Sequence, residues 1–262
     1  MSKVMTNEQL VNMCKKIANN YKTLYIYGCF GAPMNSTNKK RYTKNYAYNK
    51  RADRKKLILA ASSNTFGFDC VNLIKGILWG WSGNVNATYG GAKYCSNGVP
   101  DVSANGMMDY CTSKSTDFSK IEIGEVVWMN GHIGVYIGDG LAVECTPIWK
   151  DGVQITAVGN IGKKKGYNTR TWTKHGKLKF IEYKDIKPTP SFLPPRGYFT
   201  KGDTGENVAK IDDFFAKKVN GDTFGDYTTA CTKVFQMKND LEQDGNIGPL
   251  TLKKMEEDGF KE

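Results

Sequence analysis

Apolar positions recur every three to four residues near the start of the chain. Leu10, Cys14, Ile17 and Tyr21 share one face, and Thr6 followed by Gln9 is a capping-box pattern, so the spacing predicts a helix opening at residue 7. Leu24–Tyr27 is a short β-prone run that stops at Gly28. From Asp69 the segment DCVNLIKGILWGW returns to a helical period, with Leu73, Ile74, Ile77 and Leu78 as its stripe and Gly76 as its one weak position. Farther along, the period falls to two. EVVWM at 125–129, HIGVYIGDGLAVEC at 132–145 around a Gly-Asp-Gly turn, and VQITAV at 153–158 read as strands, with 178–183 as one more candidate. Helices first and a run of antiparallel strands later is the α+β pattern.

The run KDIKPTPSFLPPRG at 184–197 carries four of the eight prolines, which marks 186–198 as an extended linker. It would separate a domain at 1–185 from a smaller one at 199–262, a reasonable division for 262 residues at about 150 per domain. In the smaller part, Val208, Ile211, Phe214 and Phe215 suggest a helix. A weak duplication follows, VNGDTFGDYTTACTKVFQ and then LEQDGNIGPLTLKKM, each with an Asp/Gly turn, a second Gly and a Thr suited to capping a helix.

Composition narrows the class. Aromatics at 12% and hydrophobics at 40% supply a packed core, and no apolar run is long enough to cross a bilayer, so membrane insertion is not expected. Residues 1–20 show no continuous apolar core or small-residue cleavage site, and seven irregularly spaced cysteines do not read as a disulfide framework. Synthesis in a reducing cytoplasm without a signal peptide is therefore expected. The net charge of +11 points to an acidic partner. Much of it lies at 39–56, where Lys39, Lys40, Arg41, Lys44, Lys50, Arg51, Arg54, Lys55 and Lys56 face only Asp53, interleaved with Tyr42, Tyr46 and Tyr48. The plainest reading is a solvated basic loop. Anionic wall polymers are the partner it would attract, ahead of single-stranded nucleic acid.

Candidate chemistry is limited by scarcity. With two histidines, no HExxH, no paired CxxC, no phosphate loop and no dinucleotide fingerprint, neither a metal nor an organic cofactor is expected. Hydrolysis would need a cysteine or serine with one of the histidines. Cys70 opens the predicted helix at 69–81, where free N–H groups and the helix dipole favour a thiolate and an oxyanion. His132 begins a strand after an Asn-Gly turn, and Glu144 on the next strand is placed to hold its ring. Each alone also suits a role in the fold: a buried thiol, a histidine satisfied by a carbonyl, a solvated carboxylate. Together they supply nucleophile, base and orienter.

LYIYG at 24–28, FDCVNLIKG around Cys70 and GEVVWMNGHIGVYIGDG around His132 resemble the NlpC-type cell-wall cysteine peptidases. The resemblance implies a papain-like fold, Cys70 as nucleophile, His132 as base, Glu144 in the third position that usually holds His, and Tyr25 and Asp69 lining the substrate cleft. Val71-Asn72 stands where the family has Ser-Gly, and Cys29 replaces its second Gly. The stretches KGDTGENVAKIDDFF, VNGDTFGDYTTACTKVFQ and DGNIGPLTLKKM resemble the small three-helix peptidoglycan-binding domain. The implied function is an endolysin-like peptidoglycan hydrolase, acting on the wall after release and cutting an amide in the stem peptide, with the D-γ-glutamyl–diamino acid bond favoured. An N-acetylmuramoyl-L-alanine amidase with the same machinery and a non-catalytic wall-binding protein are the alternatives.

Overall fold

Thr6 caps the first helix as its pattern predicts. Its hydroxyl accepts from the Gln9 N–H at 3.2 Å, and the Gln9 side chain accepts from the Thr6 N–H at 2.9 Å. This box joins β1 (Met5–Thr6) to α1 (Asn7–Asn20). The computed structural model describes residues 3–185, 192–194, 198–216 and 223–261, and the chain divides into two compact units, Met1–Pro188 and Thr189–Glu262.

In the first unit, β2 (Thr23–Tyr25) and β3 (Phe30–Pro33) flank β4 (Phe66–Phe68) in a small sheet ordered β2-β4-β3. Between β3 and β4 the basic stretch is not a loop. It forms α2 (Ser36–Asn45), α3 (Ala47–Lys50) and α4 (Ala52–Ala60). Asn35 caps α2 by accepting from the Asn38 N–H at 2.9 Å. These helices bury so little, chiefly Asn38, Tyr42, Arg54 and Ile58, that no apolar stripe marks them in the sequence. Arg54 is withdrawn from the basic patch altogether: it is buried, ion-paired to Asp151, and donates to the Tyr25 carbonyl.

Next comes α5 (Cys70–Leu78), which lies so close to β3 that a Cβ on Gly76 would stand 2.8 Å from the Phe30 carbonyl oxygen. The residue that weakens the helix locally is the one that lets it pack. Gly76→Ala is therefore expected to destabilise by up to about 2 kcal/mol, because an overpacking cost of about 1–3 kcal/mol is set against a propensity gain of only about 1 kcal/mol. A thermal unfolding midpoint at or above that of the wild type would refute this.

The remaining elements of the unit are α6 (Ala104–Asp109), β5 (Cys111–Ser115), a 3-10 turn at Phe118–Lys120, β6 (Val126–Met129), β7 (His132–Gly138), β8 (Leu141–Thr146), β9 (Gly152–Val158), β10 (Thr169–Arg170), β11 (Lys174–Leu178) and β12 (Ile181–Glu182). A seven-stranded sheet runs β10-β9-β8-β7-β6-β11-β5, antiparallel except where β10 pairs with β9. The strand expected at 178–183 is displaced. Leu178 ends β11, whose KHGKL lacks β-branched and aromatic residues and is held by pairing with both β6 and β5, while Ile181–Glu182 pairs with β1. One face of the large sheet, with Ile133, Val135, Val143 and Val153, packs with Leu10, Cys14 and Ile17 of α1 and with α5. The other face carries Phe118, Val127, Tyr136, Ala142, Val158 and Trp172. Neighbouring residues of β7 and β8 thus face opposite ways. Helices on a large mixed sheet make this unit α+β, and no helix among the described residues is long and apolar enough to cross a membrane.

The second unit holds α7 (Glu206–Ala216), α8 (Asp226–Lys238) and α9 (Pro249–Glu257) around Val208, Ile211, Phe224, Ile247 and Met255. The duplicated threonines do not cap. Gly225 and Gly248 occupy the N-caps, while Thr228 donates to Asp212 and Thr251 accepts from Gln236 Nε2 at 3.1 Å, both buried. Of the expected linker, 186–191 and 195–197 lie outside the described residues. Phe192 is part of this second core, and its carbonyl accepts from Asn207 at 2.8 Å.

Candidate active site

The site begins where β4 passes into α5. Asp69 is the N-cap of α5: one carboxylate oxygen accepts from the Asn72 N–H at 2.8 Å, and the other from Asn72 Nδ2 at 2.7 Å and the Gly28 N–H at 2.8 Å. Asp69 therefore ties the helix tip to the turn at Gly28. That turn needs glycine, since its φ is +76° and a Cβ would stand 2.3 Å from the Tyr46 ring. Burial pushes the Asp69 carboxyl up, and the Asn72 and Gly28 N–H groups work against it.

Cys70 is the first residue of α5, and its thiol donates to the Gly131 carbonyl at 3.9 Å. The N–H groups of Ile133, Val71 and Cys70 itself also bear on the sulfur. The sulfur thus meets the chain on both sides of His132. Burial nevertheless pushes the thiol up to about 12, reinforced by the charge of Asp69 and only partly opposed by those N–H groups. The helix tip alone does not favour the thiolate here; desolvation wins. At pH 7 Cys70 is accordingly expected to react with iodoacetamide at least about tenfold more slowly than the exposed Cys95, its rate climbing with pH into the alkaline range. Peptide mapping after timed alkylation reads this directly, and a fast, pH-independent Cys70 would show an ion-paired thiolate instead.

Cys70 and Gly131 line an open cavity of about 760 Å³ together with Tyr25, Asp69, Asn72 and Asn105. Burial, then the nearby Cys70 and Asp69, push the Tyr25 phenol well above its ordinary value, so it stays a hydrogen-bond donor. The basic segment supplies another wall of the cavity through Arg41 and Tyr42 of α2 and Tyr46, the residue between α2 and α3.

His132 begins β7 and is not in the cavity wall; it lies immediately behind Gly131. Its Nε2 is 2.6 Å from Glu144 Oε2, and its ring stacks on Trp172 with centroids 5.4 Å apart and planes within 5°. Nδ1 makes no hydrogen bond among the described residues. Glu144 is 0% exposed, yet its carboxyl sits below the usual range: burial pushes it up, and His132 and Arg170 outweigh burial. Arg170 Nε reaches Oε2 at 2.7 Å and Oε1 at 2.9 Å, and Thr156 donates to Oε1 at 2.7 Å. The structure thus joins His132 to Glu144 directly. Cys70 reaches them by way of the Gly131 and Ile133 peptide groups, with no hydrogen bond between thiol and imidazole.

Several residues that hold this cluster in place escape the sequence. Asn105 of α6 pins the turn before His132, accepting from the Gly131 N–H at 2.8 Å and from Trp128 Nε1 at 3.2 Å and donating to Asn130 at 2.9 Å. Arg170 and Thr156 carry no motif and reach Glu144 only through strand pairing. The second histidine, His175, serves the fold: it is buried between Glu125 and the Asp117 carbonyl. No group of three or more His, Cys, Asp or Glu side chains among the described residues is arranged to hold a metal ion. No family model matches the chain, and no curated protein matches it.

Proposed function

We propose that the first unit is a papain-like cysteine peptidase of the NlpC type that cuts an amide in the stem peptide of bacterial peptidoglycan, and that the second unit is its wall-binding module. The observation that carries the reading is a cysteine at a helix tip, open to a cavity, abutting the strand end from which His132 projects with Glu144 behind its ring. The thiol turns from the Gly131 carbonyl to the open Nδ1 of His132, which takes its proton as the sulfur attacks the scissile carbonyl carbon. The oxyanion meets the N–H groups at the start of α5 and the protonated Tyr25 phenol. His132 then gives its proton to the leaving amine, and water attacks the thioester, leaving a carboxylate and the free thiol. Most of the 39–56 cations stay exposed, among them Lys40, Lys44, Lys55 and Lys56, and would draw the enzyme to wall polyanions.

Mass spectrometry of fragments released from purified walls tests this. A new free amine on the diamino acid is the expected result, one on L-alanine would reassign the bond to the amidase reaction, and no new amine from any wall would defeat the hydrolase reading. One observation favours a second reading, a wall-binding protein without catalysis: the thiol is bonded to the Gly131 carbonyl rather than to the imidazole, and burial pushes its pKa up. In that case walls would sediment the protein and release nothing.

A further inference from the structure

Glu144 poses a problem of charge for any base behind which it sits. A buried carboxylate bonded to one imidazole nitrogen favours the imidazolium, and an imidazolium cannot accept the Cys70 proton. The structure places an answer on the same oxygen: Arg170 Nε is 2.7 Å from Glu144 Oε2, the atom that also meets His132 Nε2 at 2.6 Å. Arg170 is itself held in place. Its guanidinium lies 4.9 Å from the Trp149 ring centroid and 5.6 Å from that of Trp172, the ring on which His132 stacks, and Nη2 reaches the Thr146 hydroxyl at 3.4 Å. Trp149 is 45% exposed and holds a left-handed backbone (φ 62°), a costly conformation for a bulky residue. The His132 ring meets Glu144 from β8 and the Trp172 ring; behind Glu144 stands Arg170 from β10, and the Cys70 thiol bonds to the neighbouring Gly131 carbonyl. No other charged side chain among the described residues bonds to the ring.

We propose that Arg170 is a positioning residue of this site: held against the Trp149 and Trp172 rings, it balances the charge of Glu144, so that the carboxylate fixes the His132 ring without leaving a bare negative charge behind it, and Nδ1 stays open to take the Cys70 proton. The inference rests on the peptidase reading. Its test uses the full chain with Arg170→Met, Arg170→Lys and Trp149→Ala. In Arg170→Met the acidic limb of kcat/KM on a soluble muropeptide is expected to move up by about one pH unit, a loss of about tenfold at pH 6 that largely disappears at pH 8.5. Arg170→Lys should restore the limb, and Trp149→Ala, which loosens the clamp from its exposed side, should shift it less. A purely structural role would lower activity equally at every pH, and that result overturns the proposal.

Because the chain has two histidines and His175 is buried in the fold, the His132 imidazole can also be followed by NMR titration in a Cys70→Ala background. Its midpoint should rise in Arg170→Met or, if that variant does not fold, in Trp149→Ala. An unmoved midpoint overturns the proposal whether or not the wild type is active. A raised midpoint with no wild-type turnover on any wall would defeat the peptidase reading and leave the charge coupling in place.

Discussion

Cys70→Ala should reduce fragment release at least about a thousandfold while leaving sedimentation with purified walls unchanged. The size of the loss follows from position. Among the cysteines, Cys70 alone lines the cavity, at the tip of a helix whose first N–H groups have no helical partner. Cys145, the next thiol inward, is fully buried and donates to the Phe68 carbonyl at 3.3 Å, so Cys145→Ala is the matched control and should keep its activity. Removing the Cys70 sulfur should cost about 1 kcal/mol of stability, which separates lost chemistry from lost fold. Turbidity of a wall suspension, checked by the fragments released, is the readout. Clearing that survives in Cys70→Ala would remove this residue from the mechanism, and clearing lost equally in Cys145→Ala would mean that packing, not nucleophilicity, had been tested.

What was legible in the sequence was whatever a local pattern encodes. The α1 cap, the α5 stripe from Leu73 to Leu78, and the alternation in β7 and β8 each follow from residues within a few positions of one another, and each stands where the pattern puts it. The failures share a cause. Helices α2–α4 bury too few apolar groups to leave a period, β11 is a strand by virtue of its two neighbours rather than its composition, and Thr228 and Thr251 look like caps until tertiary packing gives their hydroxyls other partners. Gly76 reads locally as a defect and globally as a requirement, because the Phe30 backbone comes from a distant segment.

The site divides along the same line. Positions 70, 132 and 144 stand out by residue type and order along the chain, and the His132–Glu144 bond is present. The protonation of Cys70, by contrast, depends on how deeply the helix tip is covered, and no spacing rule reports that. Asp69 lines the cavity, but its oxygens already hold Gly28 and Asn72, so its first task is to fix the helix tip. Arg170, Thr156 and Asn105 are silent in the sequence because their partners are joined to them only by the sheet and by α6.

Glu144→Ala carries the largest expected combined effect on stability and activity. The carboxylate accepts from His132, Arg170 and Thr156 with no exposure to water, so its removal leaves Arg170, 13% exposed, as an uncompensated charge and Thr156 without its acceptor. Breaking one side of such a pair costs about 3–5 kcal/mol. Fragment release should fall by about a hundredfold or more, since the ring of His132 loses the contact that orients it. Glu144→Gln keeps an acceptor for the ring and should lose less of both. The pH dependence has a definite sign. Because His132 and Arg170 hold the folded carboxyl below its ordinary value of 4.5, the stability it contributes is complete above that value and is lost as pH falls through the lower, folded one. The gap in unfolding temperature between wild type and Glu144→Ala should therefore be wide at pH 7 and close in acid. A gap that stays constant through that range would show that Glu144 acts by filling space rather than by charge, and the charge balance between Glu144 and Arg170 would lose its foundation.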